Sequence, residues 1–208
     1  MDASKMIAAL EKTWQRVRRS HPDLPPAVMI VASGSEGVRL KKWGHWAALR
    51  WRVVEGRDVG EVLVAGERLQ AGAQAVLETL LHEAAHALAF ARRIPDTSRN
   101  GRYHNLRYKL LAEAVGLTVA KDEMYGYTLT DLRPETIARY QPELAVLERA
   151  CTGYRRRLTT DDDENGTKGG RLLLECHCAP PRKLRVSPKI AEAGPILCGV
   201  CDAEFQPS

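Results

Sequence analysis

The chain has 208 residues, 44% hydrophobic and 27% charged, with a net charge of +5. That length leaves room for one domain of roughly 150 residues and a small appendage. No apolar run approaches the ~20 residues needed to cross a bilayer, and the first residues lack the compact apolar stretch and cleavage site of a signal peptide. These features exclude a helical membrane protein and give a cytoplasmic location as the expectation. The excess charge is placed unevenly. Residues 1–60 hold 11 Lys and Arg against 6 Asp and Glu, and residues 61–208 hold 20 of each. This is a mild pointer to an anionic partner such as nucleic acid.

Residues 3–18 read as an amphipathic helix, because Met6, Ile7, Leu10, Trp14 and Val17 recur at three- and four-residue steps. His21-Pro22 and Pro25-Pro26 break it. Residues 28–32 form a short apolar run with strand character. Residues 46–54 alternate, with Arg50 and Arg52 set against Trp51 and Val53, which predicts a half-buried strand. A turn at 56–60 and a further strand at 61–64 complete a small antiparallel sheet. Lys41, Lys42, Trp43, Trp46, Arg50, Trp51 and Arg52 also interleave phosphate-binding and base-stacking types, a pattern that strand packing explains equally well.

From 71 to 92 the chain turns Ala- and Leu-rich, long enough for about six helical turns. A polar loop is expected at 95–101 and a second helix at 103–115, stopped by Gly116. Further helices are expected at 134–140 and 143–157. Cys151 shares a helical face with Leu147 and Tyr154, so core packing is its expected role. Residues 158–170 are acidic and Gly-containing and read as a flexible linker. The linker separates a body at 1–157 from a piece at 171–208 that is too small to build a sufficient core without a staple.

Two clusters carry the chemistry. His82, Glu83 and His86 lie in the long helix as His-Glu-Ala-Ala-His. Histidines four apart share one face, one turn apart, and can grip a single ion. Glu83 can lie beside the metal without ligating it and accept a proton from water. A catalytic zinc needs a third protein ligand and an open position. His104 is the best placed, with Asp96, Glu113 and Asp122 as weaker alternatives; His45 is expected to be structural. The second cluster is Cys176, Cys178, Cys198 and Cys201, whose spacing fits a closed structural zinc site in a zinc ribbon, with strands at 172–174 and 184–186. His177 is a substitute ligand there. Arg182, Lys183, Arg185 and Lys189 are the ribbon's candidates for phosphate contact. The ribbon as a whole is close to neutral, so any such contact rests on a local patch.

The HExxH helix opened by Leu80-Leu81, then His104-Asn105-Leu106-Arg107-Tyr108, then Ala114-Val115-Gly116-Leu117, resembles the SprT-like family, which includes the Spartan proteases that act on proteins crosslinked to DNA. The resemblance covers roughly residues 5–120, and the C-terminal ribbon adds to it. It implies an α+β, zincin-like metallopeptidase core: an N-terminal helix, a small antiparallel sheet, the HExxH helix and a third-ligand helix. It also implies His82, His86 and His104 as ligands of a catalytic zinc, Glu83 as catalytic residue, a protein substrate and DNA as a partner. Tyr125 and Tyr127, which follow the third-ligand helix, are the candidates for steadying an oxyanion. The rival expectation is a non-catalytic, zinc-containing DNA-binding or regulatory module on the same scaffold.

Overall fold

The computed structural model describes residues 2–34, 43–53, 56–156 and 172–207. The expected linker at 158–170, and Lys41 and Lys42, lie outside the described residues. The fold is mixed α+β and divides into two units, Met1–Arg156 and Arg157–Ser208. Among the described residues, no helix is long and apolar enough to cross a membrane.

The first unit opens with α1 (Ala3–Ser20), capped by the Asp2 carboxylate, which accepts from the Lys5 amide. Its stripe of Met6, Leu10, Trp14 and Val17 is buried. The Trp14 indole donates to the Pro25 carbonyl at 3.1 Å, which fixes the chain reversal after the helix. Three strands follow: β1 (Ala27–Ala32), β2 (Gly44–Arg52) and β3 (Asp58–Ala65), in the order β1-β3-β2. The sheet is mixed rather than antiparallel. β2 and β3 form the expected hairpin, but β1 pairs in parallel with the far edge of β3, Ala27 opposite Gly60 through Ala32 opposite Ala65. Alternation in sequence reports which face a strand buries; it does not report which neighbour the strand takes.

α2 (Gly72–Ala91) is the spine of the unit. Leu77, Leu80, Leu81, Ala84, Ala85, Ala87 and Leu88 are fully buried, so the helix is apolar almost all round and surrounded by α1, the sheet and the elements that follow. Each fully buried leucine is worth about 2–5 kcal/mol against alanine, so the helix that carries the histidines is held rigidly. Beyond it lie β4 (Thr97–Ser98), β5 (Tyr103–His104), α3 (Leu106–Ala114), β6 (Leu117–Asp122) and β7 (Gly126–Leu132). The four strands form a second sheet, β4-β5-β7-β6, absent from the expected layout. The expected helix at 103–115 is shorter than predicted because Asn105 caps it. The Asn105 side chain accepts from the Arg107 and Tyr108 amides, and its backbone is extended, so Tyr103 and His104 fall on a strand. The unit closes with α4 (Pro134–Arg139) and α5 (Gln141–Ala150), again shorter than expected. Residues 151–156 leave the helical path, and the Arg155 amide donates to the Gly66 carbonyl while its guanidinium meets Glu67 and Ser33. Cys151 is partly buried against the core.

The second unit contains β8 (Leu172–Glu175), β9 (Lys183–Val186), the short α6 (Pro188–Glu192) and β10 (Gln206–Pro207), in sheet order β10-β8-β9. Among its described residues the buried hydrophobic side chains are few: Leu174 and Val186, with Cys176 and Cys198.

Candidate metal centre

His82 and His86 stand one turn apart on α2, and His104 comes to them from β5. The coordinating atoms of the three lie within 4.8 Å of one another. Nε2 of His86 is 3.1 Å from Nε2 of His104. Two nitrogens held 2.0–2.1 Å from one tetrahedral ion stand roughly 3.3 Å apart, so the three imidazoles fit a single small cation. The orientation has a cause. Asp96 accepts from Nδ1 of His86 at 2.5 Å, which leaves the Nε2 lone pair of that ring facing the other histidines. Burial first, and then the neighbouring His86 and His104, push the His82 pKa well below its ordinary value, so His82 is held as the neutral imidazole a metal requires.

The supports of this centre were not assigned in the sequence. Asp96, a weaker ligand candidate by sequence, instead orients His86. The loop that carries it is tied to the residue after His104, because the Asn105 amide donates to the Asp96 carbonyl at 3.0 Å and the Asn105 side chain donates to the Pro95 carbonyl at 2.8 Å. Tyr108 is fully buried, and its ring centroid lies 5.1, 4.7 and 4.4 Å from those of His82, His86 and His104. Tyr108 thus forms a rigid wall for all three imidazoles, with its pKa pushed well above the ordinary tyrosine value, first by burial. Gly126 permits the strand contact behind His104. Its φ is +75°, and a Cβ there would meet the His104 carbonyl oxygen at 2.1 Å. The His104 amide donates to the Tyr125 carbonyl at 2.9 Å.

Glu83 is buried, at 3% exposure. Its side chain faces β2, where a Cβ on Gly44 would come within 3.0 Å of Glu83 Oε1. The other candidates fall elsewhere. Glu113 faces Lys109, and Asp122 accepts from the Met124 and Tyr125 amides in a turn. His45 lies 3.7 Å from Glu61. Tyr125 neighbours His104 through its backbone, while Tyr127 packs against the core with the ammonium groups of Lys109 and Lys121 over its ring.

Replacing Asp96 with Asn should cost 10–100-fold in metal affinity, roughly the penalty for losing a carboxylate behind a ligating histidine. Competition with a chromophoric chelator reads this directly, and an unchanged affinity would show that Asp96 does not set the His86 ring.

In the second unit, the sulfurs of Cys176, Cys178, Cys198 and Cys201 lie within 4.8 Å of one another. Cys178 Sγ and Cys198 Sγ are 3.8 Å apart, and two sulfurs ~2.3 Å from one tetrahedral ion stand roughly 3.8 Å apart. Without a cation, four thiols so close cannot all ionise. Cys178 is pushed up to about 12, first by its bond with Cys176, while Cys198 is lowered to about 6, first by the Cys201 amide. His177 is exposed and outside the cluster. Two of the four basic candidates in this unit have partners. The Arg182 amide donates to Cys176 Sγ and its guanidinium to Cys198 Sγ, and Lys183 pairs with Glu175 at 2.7 Å. Arg185 and Lys189 are exposed.

The aromatic and basic residues of β2 are also largely accounted for by packing. Trp46 stacks on Trp14 at 6.2 Å, Trp51 donates to Glu61, Arg52 pairs with Asp58, and Trp43 lies under Arg68. Arg50 is exposed.

No family model matches this chain, and no curated protein or solved structure matches it either.

Proposed function

We propose that the chain is a zinc-dependent metalloendopeptidase of the SprT-like type, acting on DNA-associated proteins. The observation that carries this reading is the convergence of His82, His86 and His104 within the reach of one ion, with a buried carboxylate, Glu83, on the same helix. His82, His86 and His104 would hold a zinc ion, which would supply Lewis acidity for a carbonyl oxygen and lower the pKa of water toward ~7. Glu83 accepts a proton from the attacking water and returns it to the leaving nitrogen as the peptide bond breaks. Asp96 and Tyr108 keep the imidazoles in register, so little reorganisation is needed when the substrate arrives.

The geometry of β2 suits a peptide substrate. The Ala65 amide donates to the Trp43 carbonyl, so the polar groups of the next residue, Gly44, turn toward the outer edge of the strand. Among the described residues no strand covers that edge, and an extended segment of unstructured protein can lie along it beside Glu83. The second unit is read as a zinc ribbon that stabilises itself through its four cysteines. The DNA link rests on the family resemblance and on the surplus of basic residues in the first 60.

The test is a cleavage assay on a DNA-binding protein with the zinc-loaded chain, with and without single-stranded DNA. The reading predicts cleavage that DNA stimulates and that Glu83→Gln abolishes. Failure of the loaded wild type to cut any unstructured protein would overturn it.

A further inference from the structure

We infer that Gly44 is a positioning residue for Glu83: the missing side chain on β2 is what lets the Glu83 carboxylate stand against the strand. The inference rests on the peptidase reading above. A Cβ at Gly44 would lie 2.7 Å from Thr79 Cγ2, 2.8 Å from the Leu63 carbonyl oxygen and 3.0 Å from Glu83 Oε1. Thr79 and Glu83 are four apart on α2, so both face the strand. Two of these three neighbours cannot give way. The Leu63 carbonyl belongs to the paired strand β3. Thr79 is buried, and its hydroxyl donates to the Ala75 carbonyl at 3.0 Å, which locks the rotamer that aims Cγ2 at Gly44. The Glu83 carboxylate sits at the end of a flexible side chain, but its displacement would leave the two closer contacts in place. An alanine at 44 therefore lifts β2 from α2 and carries the strand edge away from the carboxylate. The proton acceptor and the substrate edge then lose their mutual register. The backbone conformation at Gly44 imposes no glycine requirement of its own, since its φ lies outside the left-handed region, so close approach is the reason for the residue.

The experiment compares wild type, Gly44→Ala and Glu83→Gln as full chains. Each is loaded with zinc for kinetics and metal content, and with Co(II) for its visible absorption band. The expected result for Gly44→Ala is unchanged metal stoichiometry, unchanged KM and a kcat lower by about ten- to a hundredfold, the scale on which small misplacements act. Its Co(II) band should shift in the same direction as that of Glu83→Gln, since both alter the carboxylate beside the open coordination position. A wild-type kcat and a wild-type band in Gly44→Ala, with Glu83→Gln inactive, would overturn the inference and leave the peptidase reading intact. Wild-type-like cleavage by Glu83→Gln would overturn both. If Gly44→Ala loses its fold or its metal, Gly44→Ala/Thr79→Ser decides, because serine keeps the hydroxyl and removes the closest of the three contacts. A folded, metal-replete double variant with low kcat supports the positioning role. One with wild-type kcat, or one that still fails to fold or bind metal, makes Gly44 a packing residue and overturns it.

Discussion

Glu83→Gln is expected to keep the full metal content and to lose peptide cleavage by about 10²–10⁴-fold, the range for removing a positioned general base. The substitution is nearly isosteric. The carboxylate lies against Gly44 and is not one of the three metal-facing groups. Metal binding therefore survives while proton acceptance does not. The loss should appear in kcat, because substrate contacts along β2 are untouched. Metal analysis together with steady-state cleavage checks both halves. Wild-type-like cleavage by this variant would remove Glu83 from the mechanism.

Cys198→Ser is expected to unfold the second unit and leave the first intact. The described part of that unit, residues 172–207, buries few hydrophobic side chains, and two of them are the clustered Cys176 and Cys198. A piece of this size depends on a staple. In small zinc-dependent folds, metal binding contributes about 10–16 kcal/mol and is itself the folding free energy. Serine removes a thiolate held low by the Cys201 amide, and it gives the Arg182 guanidinium a neutral hydroxyl in place of a charged acceptor. Limited proteolysis should then degrade the C-terminal segment to a stable fragment ending near residue 156, where the first unit ends. The fragment should keep its α-helical circular dichroism. A second unit that stays protease-resistant in the variant would mean the cysteines are not its staple.

The parts of this account legible in the sequence are those written in short-range spacing. His82 and His86 are four apart on a helix whose Ala and Leu content marks it as buried, and the cysteine pairs are equally local. His104 was reachable by elimination, but its setting was not. The expected helix at 103–115 ignored Asn105, whose capping ends the extended segment that carries the ligand. The second sheet was missed because its pieces at Thr97–Ser98 and Tyr103–His104 are two residues each, too short to show any alternation. Asp96, Tyr108 and Gly44 act through contacts between segments distant in the chain. No spacing rule reveals them, although a glycine at the start of a Trp-rich strand is a signal of close approach that could have been read.

The most direct test of the central claim is the metal content of the purified chain beside that of His82→Ala. Two zinc ions per chain are expected, falling to one in the variant, with the remaining ion lost only when the cysteine cluster is disrupted. One zinc per chain, unchanged by His82→Ala, would contradict it and leave the three histidines without a metal to hold.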